Sequence, residues 1–377
     1  MTVARTNKSS HSNSLGVTMR VAMWYNNHDI QIEELPIPQI GPDEALLKVE
    51  ASGICGSDTL EWYRINRAPL VLGHEVAGEL VAVGGLVRGY GVGDRVAVAH
   101  HVPCNTCHYC LNGHHTVCDT LRQTNFDPGG FSEYIRIPAI NVDRGIFPLP
   151  DELSFEEGSF AEPVACVLRG QRQAGLQPGH TVLVLGSGIA GLLHVQLARA
   201  MGAGRVIATD IDFHRLEMAC QFGATSAIHA EDDLVQQLKR INDGRLADIV
   251  VVSTGARIAI SQALSTVERG GTILFFAPTD PDFSIPIPIN DFFFRNDITL
   301  TTSYAGSPSD YKAALELLRS CCICVKGMIT HRLSLEETQL GFHLMTHPQE
   351  QSSIKVIIEP HRSRLTSIIA SEAPQSE

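Results

Sequence analysis

The stretch PGHTVLVLGSGIAGLLHVQLARAMGAGRVIATDID, residues 178–212, reads as strand, glycine-rich turn, helix and second strand. TVLVLG is a continuous apolar run, as a parallel strand covered on both faces requires. GSGIAG sets Gly186, Gly188 and Gly191 in a G-x-G-x-x-G pattern, with Ile189 inside the turn. Gly186 permits the tight turn, Gly188 lets the backbone approach a pyrophosphate, and Gly191 lets helix and strand pack closely. The helix then turns its N-terminus toward the phosphates. Asp210 ends the second strand, 19 residues after Gly191. That is the spacing of a carboxylate that bonds ribose hydroxyls. The same carboxylate would repel a 2′-phosphate, so NAD is expected over NADP. His214 and Arg215 lie just beyond and soften that repulsion, and Arg215 is counted with the cofactor-binding residues. The competing reading is a structural glycine turn with a surface aspartate.

Outward from this stretch, strands and helices keep alternating. DIVVVSTG reads as strand, ALSTVERGGTILFFAP as helix then strand, DITLTTSY as strand and SPSDYKAALELLRS as helix. Such alternation implies a doubly wound parallel sheet. On the N-terminal side, from Met19 to about Ala165, the texture differs. Short apolar runs such as ALLKVEASGI, VLGHEVAGELVAVG and GDRVAVA are cut by Gly, Pro and Asp, which reads as an all-β region. SIKVIIEP reads as a last strand returning to that region. Residues 1–18 and 361–377 read as disordered tails.

Composition narrows the function. The 377 residues carry a formal net charge of −12, which argues against nucleic acid as a partner. No apolar run reaches membrane-spanning length. The polar first residues hold no apolar leader segment, so the cytoplasm is the expected location. Ten cysteines in such a chain point to metal more than to disulfides.

Four of them, Cys104, Cys107, Cys110 and Cys118, have the spacing C-x2-C-x2-C-x7-C. Four thiolates complete a tetrahedral shell and leave no position for substrate, which marks a structural zinc; an iron–sulfur cluster is the competitor. His108, His114 and His115 read as surface residues of this lobe. Cys55 stands alone in GICGSD, and His74 and Glu75 follow in GHEVAG. A catalytic zinc wants about three protein ligands and one open position. Cys55 and His74 form the core pair, and a carboxylate must complete the set. A packed apolar cysteine and a structural histidine are the alternatives.

GICGSD, GHEVAGELVAVG, the four-cysteine lobe, AEPVAC and GSGIAG occur in this order. Together they resemble the zinc-containing medium-chain dehydrogenase family, from about Met19 to Pro360, and AEPVAC resembles its sorbitol and threonine dehydrogenase branch. The resemblance implies a mixed α/β and β fold. A GroES-like β-rich catalytic domain (19–165 and 306–360, zinc lobe 100–120) would be interrupted by a Rossmann NAD-binding domain (166–305). It implies Cys55, His74 and Glu75 as catalytic zinc ligands, with Glu162 beside the zinc as direct ligand or through water. It implies Ser57 as the hydroxyl that accepts the proton of the bound alcohol while hydride passes to the nicotinamide. The alternatives for these two are a turn serine and a buried, hydrogen-bonded acid.

Two positions depart from the family. Leu60 stands where many relatives carry the histidine that ends a proton relay. Ser303 stands where the sorbitol branch has an arginine before its tyrosine, here Tyr304. The expected enzyme oxidises a secondary alcohol, polyol or cyclitol, or reduces the matching ketone. A threonine 3-dehydrogenase-like activity, or a primary alcohol or aldehyde dehydrogenase, is the alternative. A zinc-free quinone reductase, a zinc-ribbon nucleic-acid binder and a protein that has lost turnover fit the residues less well. The family further implies a homodimer or homotetramer, with SIPIPINDFFF (284–294) as a contact segment or as the subunit's own core.

Overall fold

The structure is a computed structural model that describes residues 16–363. Most of both expected tails lies outside the described residues. The first strand, Thr18–Asn26, begins at the boundary expected near Met19.

Six strands form one parallel sheet, in the spatial order 226–229, 205–210, 181–185, 247–252, 267–275 and 299–302. This is the 3-2-1-4-5-6 order of a Rossmann fold. Its central strand Thr181–Leu185 is buried at every position. Its side chains divide with period two. Val182 and Val184 join one hydrophobic cluster, and Leu183 and Leu185 join another on the opposite face. Val206, Ile249 and Val251 extend the first cluster, and Ile207, Val250 and Val252 the second. That division explains why these strands read as unbroken apolar runs.

The N-terminal region and the last strands build a seven-stranded sheet. Its main path runs 329–334, 355–359, 45–53, 75–83, 95–98 and 146–148, and Tyr134–Ile137 also pairs with 45–53. A three-stranded sheet, 29–36, 18–26 and 70–71, lies beside it. SIKVIIEP does return: Ile357 pairs with Gly53, and Ile358 with Ser52.

The all-β reading of 19–165 needs correction. The region also holds helices, including His108–Leu111, Asp119–Gln123, Ala139–Arg144 and Phe155–Ser159, and it ends inside the helix Ala161–Gln173. AEPVAC therefore lies on a helix. Pro163 sits in its first turn, where no intrahelical N–H is lost. Val164, Val167 and Leu168 are buried at helical spacing in the cluster that also holds Leu192 and Val195 of the helix Ile189–Ala200.

Candidate active site

The cleft site is assembled by strand pairing. Cys55 follows the strand Ala45–Gly53, and Glu75 opens the strand Glu75–Val83, directly opposite Gly53. The antiparallel register thus brings together residues 19 and 20 positions apart in sequence. One ligand atom from each of Cys55, His74 and Glu75 lies within 4.8 Å of the others. A thiolate, an imidazole and a carboxylate at that spacing suit zinc, with room for one exchangeable ligand.

Each member of this set is held from behind. His74 Nδ1 lies 3.2 Å from Oδ1 of the fully buried Asp58, which leaves Nε2 as the nitrogen free to ligate. Burial is the largest single effect and lowers the basicity of His74, but the charge and hydrogen bond of Asp58 together with Cys55 outweigh it, and the net shift is well upward. Such a ring is a stronger metal ligand. Asp58 is in turn anchored by the Cys55 N–H at 3.0 Å and has Arg64 at 3.8 Å. Glu75 Oε2 pairs with the Lys355 ammonium, which is wholly buried and also donates to the Ile54 carbonyl at 3.0 Å. Oε1 is left for a metal. The Ser57 hydroxyl and backbone N–H each lie 3.4 Å from Cys55 Sγ. Glu162 stands outside the 4.8 Å set. Burial raises its carboxyl above the ordinary range; the His74 charge opposes that and the Glu75 charge adds to it. Cys166 Sγ, one helical turn on, donates to it at 3.3 Å.

Asp58, Lys355 and the histidines His100 and His101 carry no role in the sequence reading. Asp58 was visible in GICGSD, and Lys355 as the single charge inside SIKVII. His100 and His101 were visible as a pair closing GDRVAVA. Leu60 is half-buried before the short helix Glu61–Arg64, so no titratable group occupies the expected relay position.

The cysteine lobe is a separate construction. The sulfurs of Cys104, Cys107, Cys110 and Cys118 also fall within 4.8 Å of one another. Cys107 and Cys110 Sγ are 3.6 Å apart, and Cys104 and Cys110 Sγ 4.0 Å. A tetrahedral zinc with bonds of about 2.3 Å would hold its sulfurs about 3.8 Å apart. Backbone N–H groups of Thr106 and Cys107 point at Cys104 Sγ at 3.4 and 3.2 Å. With the Thr106 N–H as the largest cause, they lower the Cys104 thiol to about 5, so that it is ready as thiolate. His108 and His114 are exposed and His115 is half-buried.

At the dinucleotide site Gly186 has φ +91°, in the left-handed region. A Cβ on Gly191 would stand 1.9 Å from the Gly186 carbonyl oxygen, so no other residue fits there. Gly188 caps the helix that starts at Ile189. Asp210 ends the strand Arg205–Asp210 and is largely buried. Its two oxygens accept from the N–H groups of Ser187 at 2.7 Å and Asp212 at 3.0 Å. Arg215 Nη1 lies 3.9 Å away. A carboxylate oxygen accepts more than one hydrogen bond, so both keep capacity for ribose hydroxyls.

Comparison with known proteins identifies the family. Residues 41–151 match the family described as "Alcohol dehydrogenase GroES-like domain", and residues 190–320 the family "Zinc-binding dehydrogenase". A sorbitol dehydrogenase of Bacillus subtilis is 35% identical over 91% of this chain and 98% of its own length. The sorbitol dehydrogenase of Bos taurus is 32% identical over 83% of this chain and 89% of its own. The solved structure of a zinc-binding dehydrogenase from Sinorhizobium meliloti, bound to NADP, superposes with a TM-score of 0.81 at 29% identity. It covers 91% of this chain and 99% of that one. The chain belongs to the zinc-containing medium-chain alcohol dehydrogenase family, in its sorbitol dehydrogenase-like branch. It is an oxidoreductase acting on CH–OH donors, with zinc and a nicotinamide dinucleotide as cofactors.

Proposed function

We propose that this chain oxidises a secondary hydroxyl of a polyol, or reduces the matching ketone, with NAD as hydride partner. The convergence of Cys55, His74 and Glu75 within 4.8 Å at the mouth of two paired strands carries this reading. Cys55, His74 and Glu75 would hold the catalytic zinc, and Cys104, Cys107, Cys110 and Cys118 the structural one. Zinc at the first site supplies a Lewis acid that makes an alcohol proton easier to remove. Ser57, beside Cys55 Sγ, receives the substrate hydroxyl proton at Oγ. Glu162 would stand beside the metal, as a direct ligand or through water, and would relay a proton at its carboxyl, which burial and the Glu75 charge shift upward. With leucine at position 60, protons leave by water, by the cofactor ribose or by another residue. Residues 19–165 with 306–360 form the catalytic domain, around a cofactor domain of 166–305. Gly186, Gly188, Ile189 and Gly191 cradle the pyrophosphate, and Asp210 bonds the ribose, with Arg215 beside it.

The test is NADH absorbance over a panel of polyols and simple alcohols, in wild type and Asp210→Ser. Wild type is expected to prefer NAD over NADP by about tenfold or more in kcat/KM, from the loss of charged hydrogen bonds. Asp210→Ser is expected to lose most of that preference. Equal use of both cofactors by wild type would mean that Asp210 does not bond the ribose.

A homodimer or homotetramer is also proposed. Thr299–Thr302 is an edge strand of the parallel sheet, paired on one side among the described residues. Nearby in sequence, Ile289, Phe293 and Phe294 are 66%, 72% and 64% exposed. Phe292 is buried, and Phe283, Ile285 and Ile287 pack on the subunit's own core. The apolar segment thus divides, and its outward half suits a second copy. Light scattering that shows a monomer at micromolar concentration would overturn this. The cytoplasm is the proposed location. All ten cysteines are free of disulfides, which suits a reducing compartment.

A further inference from the structure

Two histidines outside the ligand set extend from His74 in a row of rings. His74 and His100 lie 4.8 Å apart between centroids, and His100 and His101 3.8 Å. The row continues at 6.3 Å to the half-exposed Tyr304.

His101 is oriented by a fixed backbone group. Its Nδ1 lies 2.8 Å from the Thr124 carbonyl oxygen. A carbonyl oxygen only accepts, so Nδ1 carries the proton, and Nε2 of the neutral ring is a lone-pair acceptor. Burial keeps the ring neutral by lowering its basicity to about 4. Among the described residues Nε2 has no hydrogen-bond partner, yet it is not sealed from solvent. Thr124 is itself pinned. Its N–H donates to Thr120 O at 3.0 Å, and its hydroxyl accepts from Val102 N at 2.9 Å. Thr124 directly follows the helix Asp119–Gln123, which starts at Cys118 of the lobe. The end of the cysteine lobe therefore fixes the orientation of the His101 ring.

We propose that His101 is a specificity-determining residue whose Nε2 accepts a hydrogen bond from a second hydroxyl of the substrate, close to the reacting carbon. The proposal rests on the polyol reading above. His101 is one ring removed from a proposed zinc ligand, too far to act at the reacting oxygen and suited to a hydroxyl on a neighbouring carbon. A polyol satisfies Nε2 as it enters, whereas a monohydric alcohol displaces water there and returns no hydrogen bond. Sites that hydrogen-bond a substrate hydroxyl discriminate strongly against analogues that lack it.

The experiment is a cycle between protein and substrate. kcat/KM for 2,3-butanediol and for 2-butanol is measured with NAD in wild type, His101→Phe and His101→Gln, at matched zinc content and melting temperature. Phenylalanine fills the space without an acceptor; glutamine keeps a carbonyl oxygen. His101→Phe is expected to lower the diol-to-alcohol ratio by about tenfold, one lost hydrogen bond to a substrate group. His101→Gln is expected to stay within about threefold of wild type, since an acceptor remains. An unchanged ratio in His101→Phe, or a His101→Gln ratio as low as that of His101→Phe, overturns the role of His101 while wild-type diol turnover keeps the polyol reading. A wild type that oxidises 2-butanol but no polyol overturns the polyol reading itself, and the proposal with it.

Discussion

The cysteine lobe and the cleft site each gather groups suited to hold zinc, but they draw them from very different spans of chain. The lobe draws four sulfurs from residues 104–118, and N–H groups of the same turn point at Cys104 Sγ. The cleft takes Cys55 from the end of one strand and His74 and Glu75 from another. It then needs Asp58, Lys355 and Glu162 to hold charge and orientation. The lobe is closed by its own sulfurs. The cleft set brings together three candidate ligands, which would leave a fourth position open, and its carboxylate is shared with a lysine 280 residues away. A local set of identical strong ligands makes a structural site. A set drawn from distant elements can leave a coordination position free and surround it with groups that steer protons.

This contrast is broken first at Cys55. Cys55→Ser is expected to lower kcat/KM by about 10³-fold or more, because metal activation of the alcohol is worth several kcal/mol. The lobe zinc and NADH binding should survive, since both lie on other elements. Turnover retained at one zinc per chain would remove Cys55 from the site. Cys107→Ser should do the opposite. It is expected to release the lobe zinc and cut the melting temperature sharply, because a structural metal contributes folding free energy directly. Metal analysis beside calorimetry checks this, and an unchanged pair of zinc ions would show that the lobe is held by something else. Asp58→Asn probes the support of the cleft alone. Zinc affinity or activity there is expected to fall about 10–100-fold, the usual cost of losing a partner that orients a ligating histidine. The lobe zinc should not change in a chelator titration. The smallest effect is expected at Leu60→His. An imidazole titrates near pH 6.5, so the variant should gain an inflection in kcat near that pH with little change in its maximum. An unaltered profile would place residue 60 off the proton path.

Both the Rossmann sheet and the lobe were legible before the structure, for the same reason. Their determinants are local: the six residues of GSGIAG, an apolar run on each side, an acid at the end of the next strand, and four cysteines within one short loop. The parallel sheet could be inferred from strand–helix alternation, because a crossover helix between strands lets the next strand run the same way; its spatial order, with 247–252 returning beside 181–185, could not. The helix Ala161–Gln173 was hidden inside a reading of turns and strands. AEPVAC is short, carries a proline in its first turn, and reveals its apolar stripe only against Ile189–Ala200.

What the sequence by itself determined was the inventory: a dinucleotide turn, two kinds of cysteine setting, a His-Glu pair and a missing relay histidine. Tertiary structure alone decided how that inventory is shared out. Register across Gly53 and Glu75, and across Gly53 and Ile357, set Lys355 on one oxygen of Glu75. The fold of the lobe turned the Thr124 carbonyl onto His101 and so chose which nitrogen carries the proton and which is left as an acceptor. Neither could be read along the chain, because a hydrogen bond or ion pair depends on a separation of about 3 Å in space, and strand pairing sets that separation between residues far apart in sequence.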